Sequence, residues 1–276
     1  MELEMRANAK INMALEVLGE REDGYHEIDT IMQEIDLCDR IELETGRGGF
    51  ALTCDNPALE LNANNLIYRA WQLLRDRVAD DSVIIHVEKK IPIAAGLAGG
   101  SANAAATLVG LNRLWNLGLS DDELRTLGLE LGSDVPFFIT GGTARARGRG
   151  EQLQTMKSFR GYSLVLLNIG KQVSSHYVYD RVSYGTNSMD ELVERMEQES
   201  PRAFSLMHNR MESVTFALLP ELVTLRDELE RQGALVARMS GSGPTLFGLF
   251  EDDRAAQQTA ERFHGRVATV LTAHTV

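Results

Sequence analysis

Between Ser82 and Trp115 the chain reads as strand, glycine-rich turn and helix, and this order limits what can be built around it. Ser82-Val-Ile-Ile-His-Val-Glu-Lys-Lys90 is β-branched and apolar, which predicts a strand. Ser101 to Trp115 is rich in Ala and Leu, with Gly110 as its one breaker, which predicts a helix opening at Ser101. Joining them is Pro92-Ile-Ala-Ala-Gly96-Leu97-Ala98-Gly99-Gly100. Glycines let backbone approach an anion closely, and the first turn of a helix offers unpaired N–H groups and the positive end of its dipole. Small side chains at Ala102, Ala104 and Ala105 keep the helix mouth uncrowded. The stretch predicts a nucleotide-phosphate site, although a tight turn before a closely packed helix would use the same residues.

The loop matches none of the commonest phosphate motifs. A Walker loop needs Gly-Lys-Ser/Thr, and Ser101 follows Gly100 with no lysine between. The dinucleotide fingerprint fails on the spacing of Gly96 and Gly99, and the protein-kinase signatures are missing. Two other stretches complement the loop. Met239-Ser240-Gly241-Ser242-Gly243-Pro-Thr-Leu246 is a second Gly/Ser loop between predicted strands, able to close on a ligand with backbone amides, or else a plain hairpin turn. In Gly132-Ser-Asp134-Val-Pro136-Phe-Phe138 an acid lies between a helix end and an apolar, proline-constrained segment. Partial desolvation there would suit a general base; a turn-capping aspartate is the plainer alternative.

A chain of 276 residues has room for one large or two ordinary domains. Its formal net charge of −12 argues against nucleic acid or a membrane surface as partner, so positive charge for a polyanion must be local. No apolar run approaches the ~20 residues that span a bilayer, and the N-terminal Met-Glu-Leu-Glu lacks the pattern of a signal peptide. Cys38 and Cys54 form no metal motif and read as free thiols of a reducing, cytoplasmic compartment.

Along the chain, strands are predicted over 2–18, 28–37, 40–44 and 50–54, and a helix from Asn64-Asn65 toward Val78. Ser120-Asp-Asp-Glu123 and Ser188-Met-Asp-Glu191 read as capping boxes, opening helices toward Leu131 and Glu199. Gly141 to Gly150 is the first credible junction, dividing the chain into domains 1–150 and 151–276. Beyond it come a buried strand over 162–168, helices over 202–218 and 221–231 ended by Gly233, strands over 235–239, 245–250 and 266–272, and a helix over 253–264. That mixture predicts an α+β fold.

Five stretches together resemble the GHMP kinase superfamily, small-molecule kinases with a Pro-x-x-x-Gly-Leu-Gly/Ala-Gly-Ser-Ser/Ala loop, here starting at Pro92. They are Ala9-Lys10-Ile11-Asn12 with Leu15, Asp23-Gly-Tyr25-His26, Gly96 to Ala105, Gly132 to Phe138, and Ser240 to Gly243. They span nearly the whole chain in the expected order. The Tyr-His pair is similar to the branch that phosphorylates a cytidine diphosphate-linked polyol, rather than to the mevalonate and homoserine branches. The resemblance implies a two-domain α+β fold with mixed and antiparallel sheets, flanking helices and a nucleotide site at the domain interface.

It also implies ATP and Mg2+ as cofactors and direct transfer of the γ-phosphoryl group to the 2-hydroxyl of an erythritol moiety. Asp134 would accept the hydroxyl proton, with Lys10 beside it to keep the carboxylate ionised and to stabilise charge on the phosphoryl oxygens. ATP would be held by Pro92, Gly96, Leu97, Ala98, Gly99, Gly100, Ser101, Ala102 and Asn103, by Ser240, Gly241, Ser242 and Gly243, and at the adenine by Asn65, Leu66 and Lys89. Asn12, Tyr25 and His26 would meet the substrate, with Tyr179 favoured over Tyr177 as the second ring on the cytosine. Ser101 is the plausible magnesium ligand. Two departures stand out: Ala98, where a glycine is common, requires a negative φ or mild strain, and Met32 stands where an aromatic can occur. Arg145, Arg147 and Arg149 alternate on a predicted strand and are expected on a solvated face, with phosphates as the alternative. The other readings are a GHMP kinase with a different alcohol acceptor and a catalytically inactive ligand binder; Lys10 and Asp134 speak against the second. No interface stripe is apparent, so a monomer and a weak homodimer fit equally.

Overall fold

A computed structural model describes residues 2–46, 48–186 and 189–276. The chain forms two compact units. One gathers residues 1–9, 37–93 and 98–141; the other gathers 10–36, 94–97 and 142–276. The units are interleaved along the chain, so no single cut near Gly150 separates them. The reason is two long strands, β1 (Glu2–Glu20) and β2 (His26–Thr45), each of which contributes residues to both units. β1 begins with alternate exposed and covered residues, the pattern of a half-buried strand, and becomes continuously buried from Ala9 to Val17. The two strands expected at 28–37 and 40–44 are one, because Cys38 and Asp39 continue the ladder without a turn residue.

In the first unit, β3 (Phe50–Cys54) runs parallel to β4 (Val83–Glu88), which pairs antiparallel with Arg40–Thr45 of β2. Between β3 and β4 lie α1 (Leu66–Leu74) and a 3-10 turn at Arg75–Arg77. Asn65 caps α1, its side chain accepting from the Ile67 N–H at 2.9 Å. Then follow α2 (Gly99–Leu114), α3 (Asp121–Leu131) and α4 (Val135–Thr140). The Ser120/Glu123 capping box opens α3, as its spacing predicts. α2 is apolar nearly all round and buried nearly all round. Its alanines pack against Ile67, Ala70 and Trp71 of α1 and, on the sheet, Ile41, Leu43 and Ile85.

In the second unit, β2 pairs through Ile28–Gln33 with β5 (Thr143–Gly148), and β5 with β6 (Gln152–Thr155). The segment read as a junction is therefore a sheet strand, with Thr143, Ala144, Arg145 and Ala146 all buried. Next come β7 (Ser163–Asn168), α5 (Ser175–Tyr179), α6 (Asp190–Glu197), α7 (Arg202–Leu206), α8 (Glu212–Leu218) and α9 (Glu221–Arg231). β8 (Val236–Met239), β9 (Leu246–Phe250), α10 (Asp253–Phe263) and β10 (Thr269–His274) complete the chain. The antiparallel sheet runs β10-β7-β9-β8, over a core that includes Val165, Leu222, Leu246 and Phe263. Ser188, the expected cap of α6, lies outside the described residues. The single helix expected over 202–218 is two, broken at Met207–Met211, where Leu15 and Asn209 form an isolated bridge. No helix among the described residues is long and apolar enough to cross a membrane.

Candidate active site

The glycine-rich turn folds as its composition demands. φ is positive at Ala94 (53°), Gly96 (76°) and Ala98 (54°) and not at Ala95 or Leu97 between them. Such alternation turns neighbouring N–H groups into one concavity, an anion nest. Ala98 thus takes the left-handed conformation, at a cost of about 1–2 kcal/mol for a residue with a Cβ. α2 starts directly after it, at Gly99 rather than Ser101, and no side-chain cap is found at Ala98 among the described residues. Its first-turn amides keep their polarity for a ligand. Gly96 is indispensable for a second reason: a Cβ there would run into the Ser240 carbonyl oxygen and come 3.2 Å from that of Gly243.

A fully buried carboxylate, Asp39 of β2, fixes the approach to this turn. It accepts the N–H groups of Lys90 and Ile91 at 2.7 and 2.8 Å, the Asn103 amide at 2.8 Å, and the Lys89 ammonium. Lys89 and Asn103, expected as nucleotide contacts, spend these side-chain bonds on Asp39. Asn65 is likewise engaged as a helix cap, with its amide donating to the Glu60 carbonyl at 2.6 Å. Leu66 lies alongside Gly100 of the loop helix. Ser101 faces the turn at Gly132, two residues before Asp134, and Asp134 is the half-buried first residue ahead of α4. A turn in which the Val135 N–H donates to the Gly132 carbonyl at 3.2 Å, and proline at the start of α4, fix the backbone at Asp134.

In the second unit Lys10 is buried and donates to Asn12 Oδ1 at 2.6 Å. Asn12 Nδ2 donates to Thr30 Oγ1 at 2.9 Å, and that hydroxyl to the Ala14 carbonyl at 2.6 Å. This chain of donors sets the orientation of the Asn12 amide. The Asn12 N–H donates to Ser240 Oγ at 3.2 Å, and Ser240 Oγ donates to the Gly96 carbonyl at 2.8 Å. The Lys10 N–H reaches the Leu97 carbonyl. Lys10, Asn12, Gly96, Leu97 and Ser240 thus form one bonded group, gathered from three distant parts of the sequence.

A second group surrounds the Tyr25-His26 turn. Asp23 accepts the Tyr25 N–H at 3.1 Å, and that bond, with Arg21 beside it, holds its carboxyl below the usual range. Tyr25 is half exposed, with the Arg149 guanidinium 4.7 Å from its ring centroid. Tyr179 stacks on His26 at 4.9 Å and 27°, and Tyr184 lies 5.9 Å from the same imidazole. Tyr179 thus lies against His26, and Tyr184 joins the group although nothing in the sequence assigned it a role; Arg149, expected on a solvated face, lies over Tyr25 instead. Arg145 is neither solvated nor open to phosphate. Asp29 grips it at two points, 2.6 and 2.8 Å, and Asp190 at 2.6 Å. Met32 is buried. Asp39, Asn209, Glu212 and Thr215 also escaped the sequence reading, since polar residues on a helix or strand look the same whether they face water or another backbone.

The nested glycine turn on a helix start, with a second Gly/Ser loop packed against it, is an arrangement suited to holding phosphate, and comparison with known proteins makes this chain a GHMP kinase. The family described as GHMP kinases N terminal domain matches residues 65–142, and GHMP kinases C terminal matches 188–268. The 4-diphosphocytidyl-2-C-methyl-D-erythritol kinase of Bacillus mycoides (strain KBAB4) is 44% identical over 92% of this chain and 90% of its own. That of Shouchella clausii (strain KSM-K16) is 42% identical over 92% and 87%. A crystal structure of a 4-(cytidine 5'-diphospho)-2C-methyl-D-erythritol kinase matches with a TM-score of 0.84 and 33% identity, covering 99% of this chain and 98% of that one. The chain belongs to the 4-diphosphocytidyl-2-C-methyl-D-erythritol kinase family. A homoserine kinase from Cytophaga hutchinsonii shares the fold at 17% identity and a TM-score of 0.79, with 100% of this chain and 95% of that one covered.

Proposed function

We propose that the protein transfers the γ-phosphoryl group of ATP to the 2-hydroxyl of 4-diphosphocytidyl-2-C-methyl-D-erythritol, a step in non-mevalonate isoprenoid precursor synthesis. The observation that carries the choice of acceptor is the Asp23–His26 turn, with Tyr25, His26, Tyr179 and Tyr184 grouped around it. A cluster of rings beside a polar imidazole suits a base that must be stacked and read along its edge. Fold alone would not choose, since a homoserine kinase shares it.

Phosphoryl transfer asks a protein for position and charge neutralisation more than for covalent chemistry. In our reading the nest at Ala94–Ala98 and the first turn of α2 hold the phosphates, with Ser240–Gly243 closing on them. Asn12, locked by Thr30, orients the acceptor. Asp134 takes the proton of the attacking hydroxyl, and Lys10 balances the charge that builds on the transferred group. Among the described residues no cluster of three His, Cys, Asp or Glu side chains could hold a metal alone. The Ser101 hydroxyl, which faces the turn at Gly132, would hold a magnesium ion delivered with the nucleotide. When bound, that ion would neutralise charge on the β- and γ-phosphates. We place the reaction in the cytoplasm, with small molecules as its partners.

The test is a coupled kinase assay with Mg-ATP that compares the cytidyl substrate with mevalonate, homoserine and galactose. Turnover of the cytidyl substrate alone is the expected result. Turnover of one of the other three alone would refute the assignment.

A further inference from the structure

The Met207–Leu218 segment carries three polar side chains at positions 209, 212 and 215, three residues apart, all on the same target. Asn209 Nδ2 donates to the carbonyls of Met239 and Gly241, at 2.7 and 2.8 Å. Glu212 Oε1 accepts the Met239 N–H at 2.8 Å. Thr215 Oγ1 donates to the Ser242 carbonyl at 3.1 Å. Every one of these bonds goes to main chain in the second Gly/Ser loop, so the ladder fixes the path of the loop independently of its side chains. Asn209 and Thr215 are buried, which makes their bonds costly to lose. Burial also pushes the Glu212 carboxyl up, against the opposing pull of the Met239 N–H, Arg238 and Arg226.

The ladder is itself anchored. Fully buried Glu16 of β1 receives Arg210 at 2.6 and 2.9 Å, and Leu15 exchanges backbone bonds with His208 and Arg210. That anchoring explains why the helix breaks at 207–211: the backbone there bonds to β1 instead of to itself. On its far side the loop binds the Asn12 N–H and the Gly96 carbonyl through Ser240. A loop held from behind by three side chains and linked in front to two elements of the site is preorganised, and preorganisation lowers the ordering cost of binding.

We infer that Asn209, Glu212 and Thr215 are positioning residues for nucleotide binding, acting through the backbone of Met239–Ser242. The inference rests on the reading of Ser240–Gly243 as an ATP-binding loop. Binding of a non-hydrolysable ATP analogue, measured by calorimetry alongside a thermal transition for each variant, tests it without reference to the acceptor. Thr215→Val keeps shape and removes one donor; Asn209→Asp turns two donors into charge facing carbonyl oxygens. Each is expected to weaken the analogue about fivefold or more while the protein stays folded. The double variant should lose less than the product of the two, because both act on one loop. Glu212→Gln, which keeps the acceptor oxygen, should restore most of the affinity that Glu212→Leu loses. Gly241→Ala, at φ 58°, disturbs the loop directly and serves as its control. If Gly241→Ala weakens the analogue but folded Thr215→Val and Asn209→Asp bind it like wild type, the positioning role is refuted and the loop assignment stands. If Gly241→Ala also changes nothing, the loop assignment falls and this inference with it. Should Asn209→Asp fail to fold, isosteric Thr215→Val alone decides.

Discussion

Asp39 has no exposed surface, and four donors meet its carboxylate there. Removing one partner of a buried ion pair strands the other in a medium that solvates it poorly, at a cost of about 3–5 kcal/mol. Lys89→Met should therefore lower stability in urea by that order, although methionine is an unbranched side chain of similar length. Adding Asp39→Asn to it should recover much of the loss, because the amide oxygen still meets the Lys90 and Ile91 N–H groups without a net charge; a double variant as unstable as the single one would contradict this account. Asp134 raises a different question, one of rate. A general base contributes about 10²–10⁴-fold, so Asp134→Asn should cut kcat by that order and leave ATP affinity nearly unchanged; near-normal turnover would remove it as the base. Both aspartates are plain acids in the sequence. Proline and a helix end marked Asp134, whereas Asp39 lies in a strand that mixes Ile, Leu and Cys with Asp36, Arg40 and Glu42, in which nothing local tells a solvated acid from a structural one.

Two short elements carry most of the site, the Ala94–Ala98 turn and the Met239–Gly243 loop. The turn was legible because its glycines have one common use, and the helix after it because alanine and leucine dominate. What the composition did not convey is that Ala98 sits at φ 54°. Ala98→Gly should relieve that strain, and after the extra entropy of glycine in the unfolded chain it should stabilise by about 0.5–1 kcal/mol. A measured loss of stability would mean that the Ala98 methyl packs well enough to outweigh its backbone. Elements were misread where the deciding bonds are remote. The strand over Thr143–Gly148 looks like a junction because Gly141-Gly142 precede it and Arg145 and Arg147 alternate within it, yet Arg145 is paired with Asp29, more than a hundred residues away in sequence. The break at 207–211 is equally silent locally, since its cause is backbone pairing with Leu15 of β1.

At the scale of the whole chain, the sequence conveyed an α+β class and a kinase, but not that two strands each serve two compact units. Strand periodicity reports which face is covered and not by what. The C-terminal strand shows how far such long-range ties reach. His274 on β10 meets Asp36 of β2 through Nδ1 at 2.8 Å and Asp253 of α10 through Nε2 at 2.8 Å. The hydrogen bond to Asp36 raises the pKa of the imidazole above 6.5; burial opposes this, and Asp253 adds to it. The folded state thus binds the proton more tightly than the unfolded one. By linkage its contribution is complete below about pH 6.5 and fades as pH rises through the raised folded value. The side chain is half exposed, so solvent screening keeps the effect modest and sensitive to salt. Glu16 works in the opposite sense. Burial pushes its carboxyl up, but Arg210, the Val17 N–H and His208 together bring it below 4.5, so its contribution is complete above that value and is lost as pH falls. Comparing wild type with His274→Gln in urea at pH 5.5, 7 and 8.5 isolates the histidine. The stability difference should be largest at pH 5.5 and shrink toward pH 8.5, more steeply at low salt; a difference that grows with pH would mean the imidazole is held neutral in the fold, donating to only one of the two carboxylates.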